Sequence, residues 1–331
     1  MRIAVTGATG YVGAHTTAAL LADGHTVRLL TLPGEPDVAT LFPAQFYSEH
    51  ADRIEVLEGD IRDATAVEKL LDGADALLHA AGIVGTDDSR EQLMWDVNVQ
   101  ATTLILSKAA MLGLDPIVHV ASFSALFPSP DPVIGPNSPS ALARSAYGRT
   151  KAAADRVARA LQQAGAPIVI TYPASVVGPG LAGSRGITEQ GWETILKLGI
   201  APRLRGGMQM IDVRDVAAVH AAAMVPGRGP RRYICGGELI SFNAMVDILE
   251  RETGSAIRRI PLPGKLFRAI GSVCDVLRPV LPTSAGLSYE AAWLLTSAVP
   301  TDDSLTRSEL ELDWRSPTDA LAQTARKEVP A

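Results

Sequence analysis

The chain opens on a short apolar run that leads into three evenly spaced glycines, in the stretch RIAVTGATGYVGAH. The run has the length and composition of a buried strand, and the residues after the glycines are typical of a helix. At such a junction Gly7 permits a tight turn, Gly10 lets the backbone approach a pyrophosphate, and Gly13 lets helix and strand pack closely. The helix N-terminus favours the phosphate charge. We therefore predict a dinucleotide-binding turn formed by Gly7, Thr9, Gly10, Tyr11, Val12 and Gly13.

Short β-rich runs alternate with helical segments through the first half of the chain. Strands are predicted at RIAVTG, TVRLLT, IEVLEG, ALLHAAG, IVHVAS and PIVITYP. Helices are predicted near Tyr11 to Ala22, Ala64 to Leu71, Glu91 to Leu112 and Tyr147 to Gln163. Strands buried on both faces with helices between them favour an α/β fold with a doubly wound parallel sheet of the Rossmann type. Right-handed crossovers gather the carboxyl ends of the strands at one edge, where ligands bind.

This alternation weakens after Pro173. Glycine-rich turns, a helix near Trp192 to Leu198 and a long C-terminal segment follow, with one return to the sheet near MIDVRDVAAVHAAAM. We predict an NAD(P)-binding domain at residues 1–175 with a return segment near 208–236. A smaller, mostly helical substrate-binding domain is predicted at residues 176–207 and 237–331.

Two further strand ends carry residues that suit a dinucleotide. GDIRD places Asp60 and Ile61 after the third strand, where an adenine edge would lie. The alternative for Asp60 is an N-cap for the helix that follows. HAAG ends the fourth strand with small residues, Ala80, Ala81 and Gly82, which let a cofactor pass close to the backbone.

A tyrosine and a lysine stand four residues apart in SAYGRTKAAA, just after a loop with five prolines, LFPSPDPVIGPNSPSALA. Residues with this spacing share one helix face, so Tyr147 and Lys151 can both point into the cleft. The pKa of a free tyrosine is near 10 and must fall by about three units for proton exchange near neutrality. The lysine charge and an oxidised nicotinamide have the right sign to lower it. The fifth strand ends VHVASFSALF, which offers Ser122 and Ser124 as hydroxyl donors.

Composition narrows the functional classes. The formal net charge of −6 argues against general nucleic-acid affinity. Two cysteines are too few for a disulfide framework, which favours a reduced, cytoplasmic setting. We expect no secretion signal and no integral membrane span, because the chain has no run of about 18 apolar residues. The histidines lack metal-ligand spacing, so no metal site is predicted, and His79 and His119 are expected to bond to backbone groups in buried strands.

The nearest approach to a membrane segment is LFRAIGSVCDVLRPVL, Leu266 to Leu281, which three charged residues interrupt. Its apolar residues Leu266, Ile270, Val273 and Leu277 fall at helical spacing. This pattern predicts a helix packed on its own domain. The alternative is a lid or a membrane-surface helix beside the substrate cleft.

Several of these segments together resemble the extended short-chain dehydrogenase/reductase family. They are TGATGYVG, NVQATT, the serine after the fifth strand, YGRTK, YPASVVGPG and IDVRDVA, and they span essentially the whole chain. The resemblance implies that Tyr147 is the acid/base and that Lys151 binds the nicotinamide ribose and lowers the tyrosine pKa. It implies that a serine polarises the carbonyl, and it places this serine at Ser122, with Ser124 as the alternative.

The same resemblance implies three further roles. Asn98 corresponds to an asparagine that supports the active-site helix or a water relay, and the alternative is a structural hydrogen bond within its helix. Pro173 and Val176, in YPASVVGPG, correspond to cofactor contacts.

The resemblance also limits the reaction. Sugar-nucleotide 4,6-dehydratases carry an Asp-Glu pair after the catalytic hydroxyl residue, where this chain has Phe123 and Ser124, and sugar-nucleotide members tend to have asparagine at Ser175. The reductase-like pattern RPxxVYGPG is closer, with Tyr172 in place of the arginine. We expect a reductase or dehydrogenase of an apolar carbonyl or secondary alcohol, similar to dihydroflavonol-reductase-like and 3β-hydroxysteroid-dehydrogenase-like proteins. The alternatives are a sugar-nucleotide epimerase and a non-catalytic NAD(P)-binding sensor.

The cofactor choice depends on the end of the second strand, VRLLTLPGEP. No Lys or Arg occurs from Thr31 to Asp52, whereas Glu35 and Asp37 lie nearby. A 2′-phosphate would be poorly met there, so NAD is favoured over NADP unless Arg28 reaches around the strand. We expect a small-molecule substrate and no nucleic acid as partner, and we leave a homodimer open.

Overall fold

Seven parallel strands form the central sheet of the computed structural model, which describes residues 1–85, 90–181, 184, 186–277 and 288–327. The strands are β1 (Arg2–Thr6), β2 (Thr26–Thr31), β3 (Ile54–Glu58), β4 (Ala76–His79), β5 (Ile117–Val120), β6 (Ile168–Pro173) and β10 (Arg231–Cys235). Their order across the sheet is β10, β6, β5, β4, β1, β2, β3, and every neighbouring pair is parallel. The six predicted strands and the predicted fold class are confirmed.

Helices cover both faces of this sheet. They are α1 (Tyr11–Ala22), α2 (Ala44–His50), α3 (Ala64–Leu71), α4 (Glu91–Trp95), α5 (Thr102–Met111), α6 (Ala146–Gln163) and α8 (Val213–Ala222). Successive residues of a strand point to opposite faces, so Leu77 of β4 packs with Ile105 of α5, whereas Leu78 packs in a second cluster with Val219 of α8. Two apolar cores, one on each face, hold the sheet in place.

One predicted helix is divided. Glu91 to Leu112 was expected to be continuous, but a π-helical turn, Asp96–Ala101, separates α4 from α5. π-helical turns are rare and occur often at functional sites. This one carries Asn98.

The residues after Pro173 form more strands than the sequence predicts. They include β7 (Ser175–Val177), β8 (Ile200–Arg203), β9 (Gly207–Asp212), β11 (Glu238–Ser241) and β12 (Arg258–Pro261). These make a three-stranded sheet in the order β11, β9, β7 and a two-stranded sheet of β12 with β8. The helices are α7 (Ile187–Leu198), α9 (Phe242–Thr253), α10 (Gly264–Leu277), α11 (Tyr289–Ser297), α12 (Ser304–Leu310) and α13 (Pro317–Lys327).

Helix α10 packs through a face other than the predicted one. Its buried residues are Phe267 and Gly271, and a Cβ on Gly271 would lie 2.6 Å from the carbonyl oxygen of Ser288, just before α11. Leu266 and Val273, which predicted the packed face, are 50% and 55% exposed. The predicted helix is therefore confirmed and packs on α11, but through Phe267 and Gly271 rather than through the residues whose spacing predicted it; a role as a lid or membrane-surface helix stays a prediction. Residues 278–281 of the predicted segment lie outside the described residues.

Candidate active site

The glycine turn and the end of β4 lie side by side at the centre of the sheet, where the chain order of the strands reverses. Gly7 has a φ of +75°, and a Cβ on it would lie 2.5 Å from the amide nitrogen of Ala81. A Cβ on Gly13 would lie 1.9 Å from the Gly7 oxygen. Gly10 is exposed, and no side chain caps the first turn of α1. The free amides and the open side of Gly10 form a cradle that fits the phosphates of a dinucleotide.

Two side chains of this turn point into the protein. Tyr11 donates a hydrogen bond to the carbonyl oxygen of Gly178 at 2.8 Å, and burial raises the pKa of its phenol. Val12 packs against an apolar core of the sheet. Both side chains are half-buried, and their contact with a cofactor stays a prediction.

A carboxylate lies near the carboxyl end of β2, although the strand itself ends without a charge. Glu35 Oε2 accepts hydrogen bonds from Thr9 Oγ1 at 3.0 Å and from the amide of Leu32 at 3.2 Å. The chain reverses at Gly34, whose φ is +85°, and this turn brings Glu35 back to the strand end and the glycine turn. NAD enzymes hold the adenosine ribose with a carboxylate at this place.

Arg28 does not reach this end of the sheet. Its guanidinium is buried and donates to Glu55 at 2.9 Å and to the carbonyl oxygens of Lys69 and Asp72 at 3.0 and 2.5 Å. All of these partners lie away from the glycine turn. The sequence would favour NADP only if Arg28 reached around β2 to the cofactor, and Arg28 does not do so.

Asp60 binds the side chain of Arg62 after β3. Arg62 donates through Nη2 and Nε at 2.5 and 3.0 Å, and this contact lowers the pKa of the Asp60 carboxyl. The alternative reading of Asp60 as a helix cap is wrong, because Asp63 caps α3 by accepting from the amide of Thr65 at 2.9 Å. Ile61 is buried in an apolar core.

Ser122 and Tyr147 meet where β5 ends and α6 begins. Tyr147 is half-buried in the first turn of α6, and the Ser122 hydroxyl lies near enough to its phenol to affect the phenol pKa. Ser122 is itself fixed, because its Oγ accepts from the amide of Ser124 at 3.1 Å. Burial raises the pKa of Tyr147, and the interaction with the Ser122 hydroxyl lowers it to a smaller extent. The protein's own groups thus do not produce the lower tyrosine pKa that the sequence argument requires.

Lys151 lies one turn further along α6, between the ends of β4 and β5. Its ammonium donates to the carbonyl oxygen of Val120 at 3.4 Å and would lie 3.5 Å from a Cβ on Gly82. The side chain is 7% exposed, and burial lowers its pKa to about 8. Gly82 therefore leaves room for the ammonium at the strand edge.

Asn98 ties the segment after β4 to helix α6. Its Oδ1 accepts from the amide of Ile83 at 2.8 Å, and its Nδ2 donates to the Ile83 oxygen at 2.9 Å and to Thr150 Oγ1 at 3.2 Å. These bonds cross between elements, so the alternative of a bond within its own helix is wrong. Asn98 supports α6 beside Lys151.

The remaining predicted cofactor positions flank this site. Ala80 and Ala81 donate their amides to the backbone oxygen and the hydroxyl of Thr6 at 3.1 and 3.3 Å. Pro173 is buried at the end of β6, and Val176 is half-buried in β7. Their contact with a cofactor stays a prediction.

A buried carboxylate fixes the proline-rich loop to α6. Asp155 accepts from Ser140 Oγ at 2.5 Å and from the Tyr172 hydroxyl at 2.6 Å, and it pairs with Arg159 at 2.9 Å. Tyr172, which replaces the arginine of the reductase-like pattern, is therefore part of this anchor. The anchor holds the loop that leads to Tyr147.

The two strand histidines are buried and neutral. His79 bonds to the hydroxyls of Thr6 and Thr102 at 2.8 and 2.9 Å, so the expectation of backbone partners is wrong for it. His119 stacks on His79 at 5.5 Å between ring centroids, and within the described ranges its nitrogens find no hydrogen-bond partner. Burial lowers the pKa of His79 to about 3. Among the residues that the structure describes, no group of three or more His, Cys, Asp or Glu side chains could hold a metal ion.

Comparison with known proteins decides the family. The sequence model of the NAD dependent epimerase/dehydratase family matches residues 3–236. The chain belongs to this family. It is of the extended short-chain dehydrogenase/reductase type, whose members are NAD-dependent dehydrogenases, reductases, epimerases and dehydratases, and it is therefore an enzyme.

Family relatives match over nearly the whole chain. Sterol demethylase protein B from Methylococcus capsulatus is 31% identical over 94% of this chain and 93% of that protein. A putative dihydroflavonol 4-reductase from Synechocystis is 28% identical over 96% of this chain and 92% of that protein. The UDP-glucose 4-epimerase from Bifidobacterium longum, solved in complex with NAD+ and UDP, superposes with a TM-score of 0.74 at 18% identity, over 98% of this chain and 97% of that one. At this identity the likeness shows the fold. In the part of this family member that the structure describes, no helix has the length and apolar character to cross a membrane.

Proposed function

We propose that this chain is an NAD-dependent reductase or dehydrogenase that acts on an apolar carbonyl or secondary alcohol through Ser122, Tyr147 and Lys151. The observation that carries the proposal is the convergence of the Tyr147 phenol and the Ser122 hydroxyl, with the Lys151 ammonium one helical turn away beside the small residues that end β4. A hydroxyl pair of this kind can hold a substrate oxygen and exchange a proton with it.

Bound NAD supplies the redox chemistry, by giving or taking a hydride at its nicotinamide. Tyr147 gives or takes the matching proton at its phenol oxygen, and Ser122 donates a hydrogen bond that strengthens as the substrate oxygen gains charge. Because burial raises the pKa of Tyr147, the phenol keeps its proton at neutral pH. The resting site is therefore prepared to donate a proton, which suits carbonyl reduction.

Apolar side chains on the segments that surround Tyr147 support an apolar substrate. Val84, after β4, is 45% exposed, and Leu142, in the loop before α6, is 89% exposed. The neighbour of Leu142, Ala141, bonds to the oxygen of Ala125 at 2.7 Å, so Leu142 lies next to the turn that carries Ser122. Two relatives named for sterol and dihydroflavonol chemistry point to the same class of substrate.

A sugar-nucleotide epimerase is the less favoured candidate. The solved UDP-glucose 4-epimerase shares the fold but only 18% of the sequence. Phe123, where the 4,6-dehydratases have an acidic residue, is buried against Phe127 with ring centroids 5.9 Å apart. This position cannot supply an acid to a sugar.

We propose NAD rather than NADP as the cofactor because of Glu35. This carboxylate is held at the ribose end of the glycine turn, whereas Arg28 is buried elsewhere and Arg62 binds Asp60. We also propose that residues 1–175 and 208–236 bind the cofactor, and that the segments 176–207 and 237–331 bind substrate.

The test is nicotinamide absorbance with a panel of steroid ketones and flavanonols at one NADH concentration, together with chromatography of UDP-sugars before and after incubation with the enzyme and NAD, because epimerisation leaves the net amount of NADH unchanged. We expect turnover with a ring ketone and none with the UDP-sugars. Tyr147→Phe should bind NAD with unchanged affinity and lose at least about 100-fold in turnover. Epimerisation of a UDP-sugar, or normal turnover in Tyr147→Phe, would overturn the proposal.

A further inference from the structure

The first turn of α6, which carries Tyr147, is bound by a carboxylate from α11. Glu290 Oε2 accepts from the amides of Arg144 and Ser145 at 2.8 and 2.9 Å, and Glu290 Oε1 accepts from Ser145 Oγ at 2.5 Å. Ser145 is the N-cap of α6 and accepts from the amide of Gly148 at 3.0 Å. Glu290 therefore holds the cap of the helix, two residues before Tyr147, from 145 positions away in the chain.

Gly148 gives independent support for the closeness of this contact. A Cβ on Gly148 would lie 2.7 Å from Glu290 Oε1 and 2.5 Å from the Ala143 Cβ. Real Cβ atoms do not approach other atoms so closely, so a side chain at Gly148 would displace either Glu290 or α6. The glycine that follows the tyrosine in YGRTK is thus required both by the Ala143 Cβ and by the carboxylate from α11.

Helix α11 also contacts the serine side of the site. The Arg144 guanidinium lies 4.7 Å from the centroid of the Tyr289 ring. Trp293 packs edge-on against Phe127 at 5.7 Å, and Phe127 stacks on Phe123, the neighbour of Ser122. One helix from the C-terminal part of the chain therefore holds both segments that present the hydroxyl pair.

Helix α11 is in turn held by α10. Asp275 Oδ2 accepts from the amide of Tyr289 at 2.9 Å, which caps the first turn of α11. The contacts run without a break from α10 through α11 and Glu290 to the helix of Tyr147. A displacement of α11 would move the N-cap of α6 with it.

We propose that Glu290 is a positioning residue that sets the place of the Tyr147 phenol relative to Ser122. This inference rests on the proposed role of Tyr147. Misplacing a reacting group by about 1 Å can cost about 100-fold in rate, even when binding is preserved. Glu290 touches neither Tyr147 Oη nor Ser122, so it acts through the backbone of residues 144 and 145.

The kinetic test compares Glu290→Ala, Glu290→Gln and the matched control Glu250→Ala. Glu250 also accepts a backbone amide, that of Ile257, in the C-terminal part of the chain, but has no contact with α6. We expect Glu290→Ala to lower kcat by about 10- to 100-fold with unchanged NAD affinity. Glu290→Gln keeps an acceptor for the two amides and should stay within about threefold of the wild type, as should Glu250→Ala. A loss that appears in NAD affinity or KM alone would overturn the proposal.

A double-mutant cycle with Gly148→Ala tests whether both residues act through one contact. Each single variant should lower kcat, and the double variant should lose less than the product of the two single losses, because Glu290→Ala relieves the close approach to Glu290 Oε1 and leaves only the approach to the Ala143 Cβ. Multiplied losses would show that Glu290 and Gly148 act independently, against the proposal.

A spectroscopic arm separates this inference from the proposed function. The ionisation of Tyr147 is measured as the difference between ultraviolet titrations of a protein and of its Tyr147→Phe version. Glu290→Ala should make the Tyr147 phenol more mobile and more exposed to water, so its pKa should fall toward the ordinary value for tyrosine. Hydrogen exchange of the amides of residues 144 and 145 should also become faster. Both changes without turnover on any substrate would refute the proposed function and leave Glu290 as a positioning residue; an unchanged titration and unchanged exchange would refute the positioning role itself.

Discussion

Neutralising Glu35 should weaken the preference for NAD over NADP that we propose for this enzyme. The carboxylate is fixed by Thr9 Oγ1 and the amide of Leu32, at 3.0 and 3.2 Å, so it cannot easily turn away from an incoming phosphate. Glu35→Gln keeps the size and one acceptor oxygen but removes the negative charge. NADP should gain affinity, and NAD should lose only a charge-assisted hydrogen bond.

The magnitude follows from Coulomb's law at the protein surface. Two unit charges about 5 Å apart repel by about 1–3 kcal/mol for effective dielectric constants between water and a protein surface. Removing this repulsion should improve the NADP Kd by about 5- to 150-fold. The lost hydrogen bond to a ribose hydroxyl should weaken NAD by about 3- to 10-fold. Glu35 is exposed, so the effect on NADP should shrink as salt is added.

The assay is a fluorescence titration of both cofactors at low and high ionic strength. Asp37→Asn is the matched control, because Asp37 is an exposed carboxylate of the same loop that caps its own helical turn, and its cofactor ratio should stay within about twofold. Arg28→Met should leave the ratio unchanged and destabilise the fold, because Arg28 is buried against Glu55. A wild-type preference for NADP, or an unchanged ratio in Glu35→Gln, would refute the reasoning.

Three more outcomes follow from the structure. Ser122→Ala should lower kcat by about 10- to 1,000-fold, and Ser124→Ala should stay within about threefold; the reverse result would move the substrate hydroxyl to Ser124. Burial lowers the pKa of His220 to about 3, so below about pH 6.5 its imidazole is protonated in the unfolded chain but stays neutral in the folded protein. The contribution of His220 to the free energy of unfolding should therefore drop by about 3 kcal/mol between about pH 6.5 and pH 4, on top of the contributions of buried His79 and His119, and His220→Gln should remove this one share, as urea titration can measure. Because the pKa of Lys151 is about 8, kcat/KM for reduction should fall as the pH rises through that value. Lys151→Arg should abolish this fall in the pH profile. A fall that appears only near the ordinary pKa of lysine would contradict the lowered pKa.

The fold could be predicted for the segments that are buried, because burial requires a recognisable run of apolar residues. The six predicted strands belong to a sheet covered on both faces, so each reads as a short apolar run. The strands β8 and β12 were missed because they are IAPR and RRIP, with a proline in each and exposed arginines. Such segments read as loops, since proline and charge are otherwise signs of an irregular edge. Their pairing depends on contacts made after the main sheet has formed.

The candidate site could be predicted where a motif is local. Tyr147 and Lys151 lie within one helical turn, and their spacing places them on one face. Glu35 was seen only as a nearby charge, because the turn at Gly34 folds it back to a strand end that the sequence places four residues earlier. The role of Glu290 could not be predicted from the sequence, because its partners Arg144 and Ser145 are 146 and 145 residues away.

The pKa of Tyr147 shows why the sequence spacing of two residues does not predict their pKa values. A shared helix face does not make two side-chain ends meet. Here the Lys151 ammonium donates to the oxygen of Val120, while the Tyr147 phenol lies by the Ser122 hydroxyl. Burial then acts on both groups and disfavours both charged forms, so the tyrosine pKa rises and the lysine pKa falls. The two shifts keep the proton on the phenol until a further positive charge enters the cleft. An oxidised nicotinamide would supply that charge, so under the proposed function the protonation state of Tyr147 would depend on which form of the cofactor is bound. The raised pKa of Tyr147 alone favours the direction in which the tyrosine would give its proton away.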